Sequence, residues 1–197
     1  MNVGIYIYEQ AEVLDFAGPF EVFSTAARVA GEACFQPLLI SEDGDAVKAR
    51  AGFQVDADHS IDDHPELDLL IVVGGVHTAE MKNERVLSWL DEQAVKVPVV
   101  ASVCTGAFIL AAAGVLIDQQ VTTHWEDQAD LAEQFPRLQV VSGRRWVDQG
   151  ARLTSGGISA GIDMSLHLVA RFHSRRLAVK TARQMEFDWQ GNRPDGK

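Results

Sequence analysis

One stretch near the middle of the chain does most to restrict the fold. Residues 97–103 form a short run rich in valine, which is typical of a buried strand in a parallel sheet. Residues 105–113 are rich in alanine and stop at Gly114, which predicts a buried helix with a glycine at its C-terminus. Cys104 lies between them. The pattern therefore predicts a nucleophile elbow, a sharp strand-to-helix turn that presents one side chain above the carboxyl edge of the sheet.

The position of Cys104 leaves two interpretations open. The free N–H groups and partial positive charge at a helix N-terminus would favour thiolate over thiol, as a nucleophile requires. Free cysteines are also among the most buried residue types, so a purely structural cysteine is the alternative. Cys34, at the start of another predicted strand, is expected only to pack.

The composition predicts an ordinary globular protein. The 197 residues are 47% hydrophobic and 23% charged, which suits one domain with a well-buried core, predicted over residues 1–189 with a tail over 190–197. The net charge of −11 argues against a nucleic-acid or anionic-membrane partner. No apolar run approaches the roughly 20 residues of a membrane helix, and no signal peptide opens the chain. Two distant cysteines predict neither a disulfide framework nor a metal site, so a reducing cytoplasm is expected.

Strands and helices alternate along the chain. Core strands are predicted over residues 3–8, 35–40, 67–73, 97–103 and 152–154. Helices are predicted over residues 19–30, 84–96, 105–113, 126–134, 159–172 and 175–189. Two short pairs of strands are also expected, 47–49 with 53–55 at the sheet edge and 139–141 with 145–148. This order indicates an α/β fold with a doubly wound, mostly parallel sheet flanked by helices, a flavodoxin-like sandwich.

Several residues near the ends of the predicted strands could take part in chemistry. Asp15 precedes a helix expected to begin at Pro19, where backbone N–H groups could hold its carboxylate, although a cap or turn is the commoner use. Gly74 and Gly75 follow a core strand and would let the backbone approach a ligand. His124 could contact a reacting group, but a lone histidine is more often structural.

Four motifs together carry a resemblance to a known family. They are Ser-Val-Cys-Thr-Gly over 102–106, Val-Thr-Thr-His-Trp over 121–125, Leu-Asp-Phe-Ala-Gly-Pro over 14–19, and Gly-Gly-Ile-Ser-Ala-Gly-Ile-Asp over 156–163. Over about residues 3–188 the chain resembles the ThiJ/PfpI superfamily, which has the class I glutamine amidotransferase-like fold. The isonitrile hydratase branch of that superfamily is the most similar.

The resemblance assigns roles to residues of this chain. It implies that Cys104 is the nucleophile and that Asp15 faces its thiol. It places Thr105 beside the cysteine as a third catalytic residue, with its backbone N–H and that of Gly75 near the developing anion. The residues that it implies for binding substrate or this anion are Gly74, Gly75 and His124.

The residue after the cysteine separates branches of the superfamily. Protease and amidase members carry histidine at that position, whereas this chain has Thr105, so a base for peptide hydrolysis is missing from its usual place. Glyoxalase-like and deglycase-like members usually carry glutamate where this chain has Asp15. Both departures favour the hydratase branch over glyoxalase or amidase activity.

The predicted activity is the addition of water to an isonitrile, giving an N-substituted formamide. Cys104 would attack the terminal carbon to form a thioimidate, while Asp15 donates a proton and later takes one from water. The two groups are expected to share one proton, because a carboxylate and a thiolate oppose each other's ionisation. The protein would thus be a cofactor-independent hydro-lyase with a small-molecule substrate, expected to be a cytoplasmic homodimer.

The alternative is a binding module rather than an enzyme. Many regulators of the AraC type carry this fold ahead of a DNA-binding domain, and residues 184–189 resemble the point where that domain follows. Because the chain is acidic and ends at Lys197 without a helix-turn-helix, a direct role with DNA is not expected. A ligand sensor, or a redox sensor that uses an oxidisable Cys104, stays open.

Overall fold

The computed structural model describes residues 1–189 and Asn192. Its strands are β1 (Asn2–Tyr6), β2 (Gln36–Ser41), β3 (Val47–Lys48), β4 (Gln54–Val55), β5 (His59–Ser60), β6 (Leu69–Val72), β7 (Val99–Val103), β8 (Gln120–Val121), β9 (Gln139–Val140), β10 (Trp146–Asp148) and β11 (Arg152–Ser155). Seven of them form the central sheet, in the order β10-β11-β7-β6-β1-β2-β5. All neighbours in it are parallel except β10 and β11. The predicted fold class is confirmed.

The middle of the sheet is built from runs of apolar residues. Strands β6 and β7 are buried along their whole length, and β1 is buried after its first residue. Their register aligns Val3 with Leu69 and Leu69 with Val99. Strands covered on both faces have no exposed side that would need alternating polar residues, which explains their continuous apolar sequence.

Helices flank this sheet in two groups. They are α1 (Val13–Ala30), α2 (Glu84–Lys96), α3 (Gly106–Ala112), α4 (Gln128–Gln134), α5 (Ala160–Phe172) and α6 (Arg175–Gln184). Helices α1, α5 and α6 pack against one another, while α2 packs against α3. Within the part of the chain that the structure describes, none of these helices is both long enough and apolar enough to cross a membrane.

The first helix starts earlier than predicted. It begins at Val13, so Asp15 lies inside its first turn and Pro19 lies within the helix. Pro19 has no N–H to donate to the carbonyl four residues before it. Proline is therefore typical of the first turn of a helix, which explains why a helix start was predicted there. The N–H of Glu12 donates to the carbonyl of Gly74 at 2.9 Å, and this hydrogen bond holds the chain just before the first turn of the helix.

Three other predictions on the outer elements are wrong in part. Strand β9 pairs with β8, and β10 pairs with β11, so residues 139–141 and 145–148 are not partners. The pair β3 and β4 is antiparallel as predicted, but it forms a separate small sheet. Helix α6 ends at Gln184 rather than near residue 189, and the left-handed φ of 51° at Glu186 follows its end. The predicted tail, residues 190–197, lies outside the described residues apart from Asn192.

Candidate active site

The turn between β7 and α3 presents Cys104 with a strained backbone. Cys104 has a φ of 55°, a conformation that costs a residue other than glycine on the order of 1–3 kcal/mol. Its N–H is shared between the carbonyls of Ser155 and Gly156, at 3.2 and 3.3 Å. Its carbonyl accepts a hydrogen bond of 2.7 Å from the hydroxyl of Thr123. Neighbouring segments therefore hold the elbow that the sequence predicts.

Small residues let the elbow approach the end of the neighbouring strand. A Cβ atom on Gly106 would lie 2.2 Å from the carbonyl oxygen of Val72, so only glycine fits at the start of α3. A Cβ on Gly74 would lie 2.6 Å from the backbone nitrogen of Thr105 and 2.7 Å from the Cβ of Cys104. Because neither glycine has a side chain, the loop after β6 closes directly over the cysteine.

Asp15 is fully buried beside Cys104. The N–H of Gly74 donates to its Oδ2 at 3.1 Å, and the N–H of Ile158 donates to its Oδ1 at 3.0 Å. Both oxygens thus accept a backbone hydrogen bond. The structure brings together the two residues that the sequence pairs as acid and nucleophile.

Burial controls the protonation of this pair. Burial raises the pKa of Asp15 from 3.8 to about 7, although the two backbone N–H groups and the thiol act in the opposite direction. Burial, with the negative charge of Asp15 second, raises the pKa of Cys104 well above its ordinary value. The N–H of Thr105 opposes this rise without cancelling it. The N–H at the helix N-terminus does favour the thiolate, as expected, but desolvation outweighs it.

Thr105 is tied to the glycine loop through its side chain. The N–H of Gly75 donates to Thr105 Oγ1 at 2.9 Å, and that hydroxyl lies 3.1 Å from the carbonyl oxygen of Gly75, to which it can donate. The N–H of Gly75 donates to the side chain of Thr105 and the N–H of Gly74 donates to that of Asp15. Both glycines therefore hold a neighbouring side chain in place in this structure. Their role as donors to a developing anion stays a prediction, whereas the N–H of Thr105 does face the sulfur.

A pocket of about 330 Å³ opens above the cysteine. It is lined by Glu12, Arg50, Gly75, His77, Cys104, Thr105, His124, Glu126, Asp127 and Ile158. His124 reaches this pocket because Gly157 leaves room for its ring: a Cβ on Gly157 would lie 2.2 Å from the ring and 3.2 Å from the sulfur. His77 packs its ring against Phe108, with centroids 4.5 Å apart. The pocket is therefore lined by every predicted site residue except Asp15 and Gly74, which are hydrogen-bonded to each other next to it.

Comparison with known proteins places this arrangement in a family. The family model described as the DJ-1/PfpI family matches residues 1–171. The chain belongs to the DJ-1/PfpI family. The resemblance predicted from the four sequence motifs is thereby confirmed.

Individual relatives in the family differ in what they do. An isonitrile hydratase of Pseudomonas putida is 32% identical over 188 residues, covering 95% of this chain and 78% of that protein. The HTH-type transcriptional regulator GbdR of Pseudomonas aeruginosa is 30% identical over 194 residues, covering 98% of this chain but only 53% of the regulator. This chain thus spans about half the length of that regulator. Membership of the DJ-1/PfpI family covers both an enzyme and regulators.

A solved structure supports the fold assignment. A ThiJ/PfpI family protein from Pseudomonas syringae superposes with a TM-score of 0.85 at 24% identity, and the match covers 95% of this chain and 75% of that one. At this identity the comparison bears on the fold alone, and it agrees with the mostly parallel sheet and flanking helices described above.

A larger cavity of about 770 Å³ adjoins the cysteine pocket of this DJ-1/PfpI protein. It shares His124 and Ile158 with that pocket, and the exposed ring of Trp125 lines it as well. Trp146 is buried and packs against His167 with ring centroids 5.4 Å apart.

Several residues of the site were missed from the sequence. Ile158 holds Asp15 through its backbone, with a φ of 57° that a branched side chain rarely adopts. Tyr8 is buried beside the Thr105 hydroxyl, and burial raises its pKa well above 10. The pairing of Arg50 with Glu12, at 3.3 Å, borders the pocket. Two of them carried a signal: Ile158 lies in the motif over 156–163, and Tyr8 follows β1 at the edge where the elbow also lies.

No metal centre is formed by the described residues. Among residues 1–189 and Asn192, no group of three or more histidine, cysteine, aspartate or glutamate side chains is placed to hold a metal ion.

Proposed function

We propose that this protein hydrates isonitriles to N-substituted formamides, using Cys104 as nucleophile and Asp15 as acid and base. One observation carries the proposal. A thiol lines a small pocket, and a buried carboxyl whose pKa burial raises to about 7 lies directly behind it. A proton-transfer group works best when its pKa lies near the operating pH.

The first step adds the thiol across the terminal carbon of the isonitrile. The sulfur of Cys104 forms a bond to this carbon, and the same carbon receives a proton from Asp15, which leaves a thioimidate attached to the enzyme. Asp15 takes this proton from the thiol and is left as a carboxylate once the carbon has received it.

The second step consumes water. Asp15, as a carboxylate, takes a proton from a water molecule that attacks the thioimidate carbon, and passes it to the nitrogen of the substrate. Collapse of this intermediate breaks the carbon–sulfur bond and releases the formamide, and the hydroxyl proton of the intermediate goes to the sulfur and restores the thiol. Substrate and water supply all the atoms, so these steps call for no cofactor.

The Thr105 hydroxyl and the glycine loop fix this geometry. Thr105 ties Gly75 at 2.9 and 3.1 Å, and the adjacent Gly74 holds Asp15 at 3.1 Å. Loss of the hydroxyl would loosen the loop that orients the carboxyl. We accordingly propose Thr105 as a positioning residue and His124 as part of the substrate-binding wall.

The most direct test is an assay of the purified protein against a neutral alkyl isonitrile and methylglyoxal side by side. We expect formamide from the isonitrile and no lactate from methylglyoxal. Lactate without formamide would replace the hydratase proposal with a glyoxalase-type activity.

A regulator that senses a ligand is the second candidate. The 30% identity to GbdR over 98% of this chain and the large cavity next to Cys104 favour it. A sensor would bind a small molecule saturably without turning over any substrate in the assay above.

We also propose that the protein acts as a cytoplasmic homodimer. Three apolar side chains around the first turn of α1 support the dimer: Leu14, Phe53 and Ile158 are 38%, 52% and 41% exposed. Phe53 also packs its ring on Phe16 of α1. Sedimentation equilibrium tests the dimer, and Phe53→Asp is expected to weaken it.

A further inference from the structure

The entrance of the cysteine pocket is rich in carboxylates. Glu12, Glu126 and Asp127 all line it, and we refer to these three residues as the carboxylate rim. Among the residues that line this pocket, Arg50 is the one permanently charged base, and it pairs with Glu12 at 3.3 Å. This pairing leaves Glu126 and Asp127 as charges that Arg50 does not neutralise.

The imidazole of His124 cannot neutralise both of these carboxylates. Its Nδ1 lies 3.7 Å from the Glu126 carboxylate and 3.5 Å from that of Asp127. The same Nδ1 accepts a hydrogen bond of 3.4 Å from the backbone N–H of Glu126. One imidazole carries at most a single positive charge against the two carboxylates of Glu126 and Asp127, so the rim keeps a net negative charge.

This charge acts on the reacting atom as well as on the entrance. Asp127 raises the pKa of Cys104, as Asp15 does, so its field reaches the sulfur. Charges that line a cleft with apolar walls act at longer range than charges on an open surface, and they alter the arrival rate of charged ligands. An anion on its way to Cys104 must pass the rim and then approach the carboxyl of Asp15.

We infer that the carboxylate rim makes the site selective for neutral or cationic electrophiles and excludes anionic ones. For the substrate this inference rests on the proposed isonitrile chemistry, and it narrows the class to isonitriles without a carboxylate or phosphate. The selectivity itself applies to any small electrophile that reaches the sulfur.

Alkylation of Cys104 tests the inference without requiring turnover. Iodoacetamide and iodoacetate form the same sulfur–carbon bond and release iodide, with the thiol proton passing to solvent, but only iodoacetate is an anion. The two rates are measured at one mildly alkaline pH by mapping the peptide that contains Cys104. Their ratio is then divided by the ratio for 2-mercaptoethanol, a neutral thiol. At low salt we expect the rate ratio of iodoacetamide to iodoacetate to be roughly tenfold higher for Cys104 than for 2-mercaptoethanol.

Matched variants separate the rim from general charge effects. Glu126→Gln with Asp127→Asn is expected to lower the preference at least about threefold. Asp130→Asn with Glu133→Gln makes the same change in net charge at exposed positions of α4 that do not line the pocket, and should leave the preference unchanged. Equal effects of the two double variants, or a wild-type ratio equal to that of the small thiol, would overturn the inference.

Two further measurements keep the test decisive. If the rim variant does not fold, the wild-type preference is measured against ionic strength: it must fall as salt rises, and a constant preference contradicts the inference. In the turnover assay, methyl isocyanoacetate should exceed isocyanoacetate in kcat/KM by a similar factor. If neither is hydrated, the proposed function fails, while the alkylation ratio still decides the charge selectivity.

Discussion

Replacing Asp15 by asparagine removes the proton carrier and keeps the shape of the side chain. Both oxygens of Asp15 accept backbone N–H groups, from Gly74 at 3.1 Å and Ile158 at 3.0 Å. An amide has one oxygen, so one of these N–H groups would face an NH₂ group instead. Leaving a buried donor unpaired costs about 1–3 kcal/mol, and the loss of a buried charge offsets part of this cost near neutral pH. We therefore expect Asp15→Asn to fold, with modestly altered stability.

The effect on turnover should be far larger than the effect on stability. An amide can neither give a proton to the isonitrile carbon nor take one from water. A positioned acid–base group contributes typically about 10²–10⁴-fold in rate, so kcat should fall by that factor. The assay follows formamide by chromatography at saturating isonitrile, together with a denaturation curve for each protein.

A matched control lies on the same helix. Glu21 is exposed and accepts a hydrogen bond of 2.8 Å from Thr25, which glutamine can also accept. Glu21→Gln makes the same change of charge and should keep the wild-type rate within about twofold, since surface substitutions usually have small effects. A folded Asp15→Asn variant that retains half or more of the wild-type rate would refute the acid–base role.

Three further outcomes are expected. Cys104→Ala should abolish formamide production, and the double variant with Asp15→Asn should be no less active than Cys104→Ala, because the two groups act as a unit. A Cys104→Ala variant that turns over isonitrile faster than Asp15→Asn would contradict this. Thr105→Val should lower kcat roughly ten- to a hundredfold by freeing Gly75, whereas Thr105→Ser should not. Because the folded state raises the pKa of Asp15 to about 7, the free energy of unfolding should fall by a few kcal/mol (order of magnitude) as the pH rises from about 4 to about 7. Denaturation of Asp15→Asn should lack that fall.

The elbow could be predicted because its determinants are local. A valine-rich run, one cysteine and an alanine-rich run specify a strand, a turn and a helix over consecutive residues, and the structure has β7, Cys104 and α3 in that order. The rule that parallel strands end at one edge then brings Gly74 and Asp15 to the same place. These inferences need no knowledge of distant contacts.

What the sequence missed depends on distant contacts. The N–H group that holds Asp15 Oδ1 belongs to Ile158, 143 residues away, and no local pattern predicts its left-handed backbone. The net rise in the pKa of Cys104 could not be predicted for a similar reason. A helix terminus can be seen in the sequence, but the extent of burial around the sulfur results from the packing of several segments. The wrong pairing of residues 145–148 has a different origin: β10 has a short strand on either side of it in the sequence, and it pairs with β11, which places it in the central sheet.

The protonation of the pair favours one class of substrate over another. An isonitrile forms its bonds to sulfur and to hydrogen at the same carbon, so a protonated thiol next to a carboxyl of pKa about 7 supplies both from one point. An amide substrate needs a thiolate before attack and then a proton at a leaving nitrogen on the far side of the carbonyl carbon. Thr105 occupies the position that would supply such a base, and its hydroxyl is bound to Gly75. A site that keeps its sulfur protonated and its proton carrier adjacent is thus better suited to addition at one carbon than to cleavage of an amide.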